Sequence, residues 1–585
     1  MSAAVDTFDV AIVGLGPTGL TLAHGLGQRG HRVLVLEREP SFYGNARAVY
    51  TDGECLRIFQ SFGMAETLAA DMLQDAPVQM MLPDGSVLFQ LKNTHRPHGW
   101  PANNFFYQPL LETALAEGLA RYPNVTVLRG RELTRFEQDA DGVDLFHVAT
   151  EGTGYGKAAQ PPGARAEPVA GEVSLRARWM VGADGGRSAV RGQLGIGMTG
   201  KSFPNPWLVV DIKAKDPADG LHHLPYFNFI CDPTCPTVSC VQPNGHHRFE
   251  FMLMPGQTRE HMEHPDTVRH YLSKHVNVDK FHILRTLVYT FNALMAERWR
   301  EGRVLLAGDA AHMTPQFIGQ GMNAGVRDAY NLAWKLDAVL RGLAGEALLD
   351  SYEQERRPHA AAMTREGIRM KDFVSMVNPV GTLLRNALTR VVVRLPKLGT
   401  FVRQGDFIPK PSYPNGRYVG LRRRRWAGAE GRLMPQPLLR GPDGRRRLLD
   451  ELIGPGFALI GAGTDPRSAL DDETWALWQS MGASFVSVHP FGGLPQGSVT
   501  HAVPTGLIEA EDPDGSFHTW WRRSGAGKGF VAVVRPDRFV FALVPGQQLA
   551  QVTREFARQM HRDQALAQAP VSQTSKPIHS VPQAA

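Results

Sequence analysis

The chain opens on a near-continuous apolar run, Asp9-Val10-Ala11-Ile12-Val13, followed by glycines at 14, 16 and 19 and an apolar stretch at helical spacing from Thr18 to about Arg29. A second run, Arg32 to Leu36, ends on Glu37. Short unbroken apolar runs bounded by glycine read as strands buried on both faces, and a helix between two of them reads as a parallel crossover. The pattern returns twice. Trp179-Met180-Val181-Gly182 leads into Ala183-Asp184-Gly185-Gly186-Arg187-Ser188, and Arg303 to Ala307 leads into Gly308-Asp309, with a helix from near Met322 marked by Ala329, Leu332, Ala333, Leu336 and Leu340. Residues 76–99 and 201–296 instead alternate apolar with polar, the period of strands covered on one face. From Lys410 the pattern restarts, with strands predicted at Phe457 to Gly461 and Gly529 to Arg538.

The glycines carry the first chemistry. Gly14-Leu15-Gly16-Pro17-Thr18-Gly19 sits between a strand and a helix, where glycine permits a tight turn, backbone approach to a pyrophosphate and close helix packing. Glu37, with Arg38 beside it, ends the next strand, where an acid can accept hydrogen bonds from an adenosine ribose. The second constellation, Gly308-Asp309 followed by Pro315, Gly319, Gly321, Met322 and Asn323, places an acid at the carboxyl end of a strand and a helix N-terminus behind it. That positive dipole end suits an anionic reduced flavin. An ordinary helix-entry loop would account for Gly319 and Gly321 and leave Asp309 unexplained. Together the two constellations describe the ends of one noncovalently bound FAD.

The three segments resemble the flavoprotein aromatic hydroxylases, the single-component FAD monooxygenases typified by para-hydroxybenzoate and phenol hydroxylases. Further stretches, Asp52 to Phe59, Pro204 to Asp211, Arg248 to Gly256 and Gly319 to Gly325, are similar to the 3-(3-hydroxyphenyl)propionate hydroxylase branch, over about residues 8 to 370. The resemblance implies that Asp309 binds the ribityl hydroxyls, that Asp184 supports the pyrophosphate region, and that Gly321, Met322 and Asn323 line the isoalloxazine. It also implies that Gln108, in Tyr107-Gln108-Pro109, contacts FAD and that Arg47, in Asn45-Ala46-Arg47-Ala48, lies near flavin and pyrophosphate; a core or surface role for these two stays open. Asp52 matches an aspartate near the substrate hydroxyl and is the implied proton acceptor, with Tyr289 bonding the hydroxyl, although a helix cap and a core tyrosine are equally ordinary uses. The implied reaction takes hydride from NADH or NADPH and one atom of dioxygen, and hydroxylates a phenolic ring ortho to an existing hydroxyl through a C4a-hydroperoxyflavin. A phenylpropionate carboxylate would need a cationic or amide partner within the sheet domain, for which Arg248 and Arg285 are candidates. Gln316-Phe317-Ile318, beside the implied flavin face, departs from the branch, and Phe317 becomes a candidate substrate contact.

Composition narrows the classes. The 585 residues are long for one domain, with ordinary hydrophobic (43%) and charged (21%) fractions. A net charge of +6 points to no nucleic-acid or membrane partner. The dense basic runs, Arg422 to Arg425 and Arg445 to Arg447, read as solvated loops. No signal-peptide pattern or bilayer-length apolar run is apparent, so a cytoplasmic protein is expected. Cys55, Cys231, Cys235 and Cys240 form neither a disulfide scaffold nor a zinc pattern, and His222-His223 and His246-His247 read as loop or edge residues, so no metal is expected.

The expected architecture is α/β (α+β overall). A Rossmann-like FAD-binding domain comprises residues 1–75, 100–200 and 297–370, and an inserted substrate-binding sheet 76–99 and 201–296. A helical connector spans 371–409, a thioredoxin-like C-terminal domain without a Cys-x-x-Cys pair 410–563, and a disordered tail 564–585. Residues 150 to 172 read as a hairpin tip. The partners implied are a small phenol, O2 and NAD(P)H, with a homodimer as one assembly the chain could form. Two other readings stay open: a flavin dehydrogenase or oxidase of the same fold, and a non-catalytic flavoprotein whose C-terminal domain binds a partner.

Overall fold

A computed structural model describes residues 7–42, 47–152, 168–221, 223–413, 428–495 and 506–560. Most of the expected hairpin tip (153–167), Asn45 and Ala46, His222, Arg422 to Arg425 and the 564–585 tail lie outside the described residues. The chain divides into two compact units, 1–96 with 100–333 and 359–410, and 97–99 with 334–358 and 411–585.

In the first unit the strands Thr7–Val13, Val33–Glu37, Val125–Arg129, Val173–Gly182 and Val304–Leu306 form a parallel sheet, extended by antiparallel strands at its margins. Val10, Ala11, Ile12, Val33, Leu34, Val35, Leu305 and Leu306 are fully buried. Cover on both faces of a parallel sheet is why these strands lack polar alternation. The helix Pro17–Gly27 follows the first strand with proline in its opening turn, where the missing N–H costs nothing. The helix expected near Met322 runs from Gln320 to Leu340.

The alternating segments form a second sheet in the order Phe281–Tyr289, Trp207–Ala214, His246–Met252, Thr237–Val241, Phe227–Ile230, Val78–Met81 and Val87–Leu91. Both faces are covered. One carries Leu208, Val210, Ile212, Phe249 and Phe251 against helix residues Val268 and Leu272. The other carries Met80, Trp207, Phe229, Val238 and Met252 against Phe291, Phe317 and Val374. The segment 371–409 holds two helices, Pro379–Val392 and Pro396–Arg403.

In the second unit Ala458–Ala462, Ser484–Pro490 and Leu507–Asp512 pair in parallel, Phe530–Val534 and Val540–Pro545 add antiparallel, and helices Asp472–Ser480 and Leu549–Met560 complete a thioredoxin-like order. This unit starts earlier than periodicity indicates, because parts of two long helices join it. Trp334 packs edge-on to Phe457 at 5.8 Å. The Lys335 Nζ donates to Glu355 Oε2 at 2.8 Å, and Arg535 donates to both Glu355 oxygens at 2.7 and 2.8 Å. Such contacts are tertiary and leave no trace in the spacing of 297–370.

Burial alone would raise the Glu355 carboxyl, but Arg535 and Lys335 outweigh it and take it down to about 2. Burial takes Lys335 down to about 8, partly countered by Glu355. Both groups are therefore charged at pH 7. The carboxylate is the firm side, since the Arg535 guanidinium stays charged regardless. A depressed carboxyl contributes stability that is present above the ordinary value of 4.5 and lost as pH falls toward 2. Glu355→Gln should therefore lower stability at pH 7 by about 3–5 kcal/mol and flatten the acid dependence over that window. Thermal melts from pH 7 to 3 check this, and an unchanged profile would show that the network contributes nothing.

Candidate active site

Three turns meet at the carboxyl edge of the parallel sheet. Gly14 has φ +105°, and a Cβ there would stand 2.5 Å from the Ala183 carbonyl oxygen. At Gly19 a Cβ would stand 2.0 Å from the Gly14 oxygen, whereas at Gly16 it would meet nothing within 4 Å. Two glycines thus serve close backbone packing, and the third opens the helix N-terminus to a ligand. The Glu37 carboxylate accepts from the Leu15 N–H at 2.8 Å and the Glu39 N–H at 2.9 Å, holding the loop in shape. Arg38 stands 3.5 Å from Glu39. Thr18 points the other way: a Cβ at Gly308 or Gly325 would come within 2.5 or 2.2 Å of its Oγ1. Its side chain joins the two glycine segments.

Asp309 follows Gly308, whose N–H donates to the buried Asp328 carboxylate at 3.1 Å; Asp328 also bonds His312 Nε2 at 2.6 Å. Burial pushes the Asp309 carboxyl upward, against the pull of Arg47 and His312, yet the residue keeps a large accessible surface. Both hold together if the carboxylate faces an enclosed space. Tyr289 shows the same combination: 38% of its surface is accessible, while burial and Asp309 raise its hydroxyl, with Arg47 and Arg187 opposing. Asp309, Tyr289, Arg47 and Arg187 thus converge electrostatically. Asp184 accepts from the Val190 N–H at 3.1 Å through Oδ2, and its Oδ1 is buried without a partner.

Pro315 precedes the turn Gln316–Ile318, and Gly319 is left-handed at φ +62° where a Cβ would strike the Tyr50 ring at 2.6 Å. A Cβ at Gly321 meets nothing within 4 Å, so the first turn of Gln320–Leu340 is open. Met322 is half-buried beside it. Asn323 is spent internally, donating to the Gly319 carbonyl at 2.8 Å and accepting from Thr51 Oγ1 at 2.9 Å. Gln108 likewise accepts from the Arg47 and Ala48 N–H groups at 2.6 Å and donates to Glu112. These amides shape the loops, and direct contact with a flavin does not follow from their geometry.

On the second sheet, Asp211 pairs in register with both Arg248 and Arg285. Arg248 donates to Asp211 through Nε at 2.7 Å and to the Arg47 carbonyl through Nη1 at 2.6 Å, and Arg285 stands 3.3 Å from the same carboxylate. Neither arginine points to solvent, and Arg248 has its fork filled. A substrate carboxylate at Arg248 would therefore compete with Asp211. Strand alternation puts Arg248, Glu250 and Met252 on one face. Glu250 is buried, 4.0 Å from Arg248 Nη1, and makes no hydrogen bond among the described residues. Burial raises its carboxyl, partly offset by Arg248. Beyond it lies an aromatic wall, in which Phe317 packs edge-on against Trp207 and Phe291, each at 5.1 Å.

Residues 7–367 match a family model described as an FAD binding domain, and residues 431–559 match the HcaD C-terminal domain. The chain is 36% identical to a 3-(3-hydroxy-phenyl)propionate/3-hydroxycinnamic acid hydroxylase of Shigella sonnei, covering 94% of both chains. It is 34% identical to the enzyme so named from Comamonas testosteroni, covering 96% of this chain and 98% of that one. The chain belongs to the FAD-dependent aromatic hydroxylases. Among solved structures, aklavinone-11 hydroxylase with FAD and aklavinone shares its fold at a TM-score of 0.73 and 24% identity, covering 94% of this chain and 99% of that one.

For this hydroxylase the observations fit FAD: open backbone at Gly16 and Gly321, an enclosed acid at Asp309, and an orphaned buried oxygen on Asp184. The hydroxylase also holds groups that sequence reasoning passed over. Asp52 caps the helix Gly53–Gln60 by accepting from the Cys55 N–H at 3.0 Å, pairs with Arg327, and accepts from Gln320 at 3.3 Å. Arg327 also donates to Glu54 at 2.7 Å. Burial alone would raise Asp52, but Arg327 and the cap hold it below the ordinary carboxylate value. Asp52 therefore serves as the helix cap that the sequence also allowed, tied to Arg327. Glu250 was legible as the same-face neighbour of Arg248. Asp328 and Arg327 carried no signal beyond lying on the helix after Gly321.

Asp309→Ala should yield a folded protein that has lost most of its FAD, read as the ratio of flavin absorbance to protein. Full flavin occupancy would count against the Asp309 assignment. Asp52→Asn should lower the melting temperature, since it leaves Arg327 short of one buried anion, and should leave the ratio of product to NAD(P)H consumed near wild type. A collapse of that ratio at normal stability would restore Asp52 as the base.

Proposed function

We propose that this hydroxylase uses NADH or NADPH and O2 to add a hydroxyl ortho to an existing phenol on a ring bearing a short carboxylate chain, with 3-(3-hydroxyphenyl)propionate as the leading substrate. The observation carrying the phenol-hydroxylation part of this reading is the adjacency, on one sheet face, of an apolar aromatic wall and the raised carboxyl of Glu250, which makes no hydrogen bond among the described residues. Identity of 34–36% over nearly whole chains to enzymes named for that substrate supports it.

FAD, once bound and reduced, supplies the activation of dioxygen. Gly16, Asp184, Asp309 and Gly321 would hold it, and the helix N-terminus at Gln320 would stabilise negative charge on its edge. Trp207, Phe291, Phe317 and Met252 offer the ring a dry surface, which protects reactive oxygen species from water. Glu250 takes the phenolic proton at its carboxylate, raising electron density at the ortho carbon. Tyr289 donates to the substrate oxygen, and burial together with the nearby Asp309 keeps it protonated. The Asp211, Arg248 and Arg285 cluster anchors the Arg47 loop.

Glu250→Gln should slow hydroxylation about a hundredfold at normal FAD content and divert reducing equivalents to peroxide. In the wild type the raised carboxyl places the acid limb of the pH–rate profile above the ordinary glutamate range, and the variant should lack that limb. An unchanged rate would assign the proton elsewhere.

Turnover of 3-(3-hydroxyphenyl)propionate under labelled dioxygen should place one labelled atom ortho to the hydroxyl. Label arriving from water, or peroxide as the sole oxygen product with every phenol tried, would remove the monooxygenase reading. Turnover of another phenol only would change the substrate and leave the chemistry standing.

A further inference from the structure

The helix Pro379–Val392 is amphipathic with its faces reversed. Its buried positions are Thr382 and Arg385, and Arg385 is clasped to the Phe373 carbonyl at 2.8 Å. Val380, Leu383, Leu384, Leu388 and Val391 lie on the opposite side, 56 to 69% exposed. Their spacing makes one continuous stripe. Val377 precedes it, and Leu395, Leu398 and Phe401 extend it through Pro396–Arg403 at 44 to 50% exposure. A helix in a monomer turns such a stripe toward its own core. The exposed area of these nine residues is on the order of 800 Å², beyond the largest patch of a typical monomer and about one partner's share of a standard interface.

We infer that this stripe is an interface between two copies of the chain. A flat row of leucine and valine is self-complementary about a twofold axis, as an isologous contact requires. Leu384, Leu388 and Val391 recur at four and three residues, the spacing of a helix–helix seam. The segment has neither Trp nor Tyr, the residues that seat a helix at a lipid surface. Its charges are basic throughout, with no Asp or Glu between Asp372 and Asp406. Exposed Arg390, Arg394 and Lys397 gather toward one end, so antiparallel pairing separates the two sets and leaves them at the rim. The basic content makes an anionic membrane the competing occupant.

The test uses the full-length, FAD-loaded protein. Light scattering after size exclusion should give twice the 64.4 kDa chain mass at micromolar concentration. Leu384→Glu with Leu388→Glu should weaken association at least a hundredfold and give monomer, with FAD content and turnover rate unchanged, since both side chains lie on the exposed face of the helix. Leu388→Cys, under oxidation, should give a cross-linked dimer on a non-reducing gel. A monomeric wild type, or a dimer indifferent to the double substitution and uncrosslinked by the cysteine, overturns the inference. Co-flotation of monomer with phosphatidylglycerol vesicles, abolished by the double substitution, overturns it in favour of a lipid surface.

Discussion

Close approach of backbone to backbone at one edge of the parallel sheet is the constraint on which the site depends. Gly14 lies against Ala183, Gly19 against Gly14, and Thr18 between Gly308 and Gly325. A single methyl at most of these positions would overlap existing atoms. The turns after three strands, each more than a hundred residues from the next in sequence, are thereby pressed into one surface. What remains open within it, at Gly16 and Gly321, is where a ligand can approach the chain.

Buried charge supplies the second layer of order. Asp52, Glu54, Gln320 and Arg327 tie a helix from the start of the chain to the helix after the flavin loop. Asp211 with Arg248 and Arg285 ties the second sheet to the backbone at Arg47. Removing one member of such a set strands another charge away from water, so each acts mainly to specify geometry. The same pairing occupies the polar atoms of these residues. Among the described residues Asp309 and Glu250 make no side-chain hydrogen bond and the Asp184 Oδ1 is buried without one, which leaves each with capacity for a ligand.

The chemistry proposed here divides between the two sheets. The parallel sheet offers backbone and acids to a cofactor, the usual use of the carboxyl edge of such a sheet. The second sheet offers an apolar wall with one titratable group at its margin. Its strands cannot alternate cleanly between core and water, because both faces are covered, and polar residues on the inner face are consequently either paired or functional.

The sequence by itself determined the parallel strands and their glycine turns, because each follows from local backbone geometry or period, whereas the cover on both faces of the second sheet was decided by packing. The sequence placed Asp52 at a helix start and Arg248 on an alternating strand. Whether either was free for chemistry depended on Arg327, 275 positions away, and on Asp211 across the strand pair. Ion pairing is set by register and packing, which no spacing along the chain records. The same reason explains the reversed helix at 379–392: its stripe is plain in the sequence, but only the tertiary structure decided that the stripe faces outward, since Arg385 occupies the inner side. The membership of 334–358 in the second unit was decided in the same way, by Trp334 and Glu355 finding partners more than a hundred residues further along the chain.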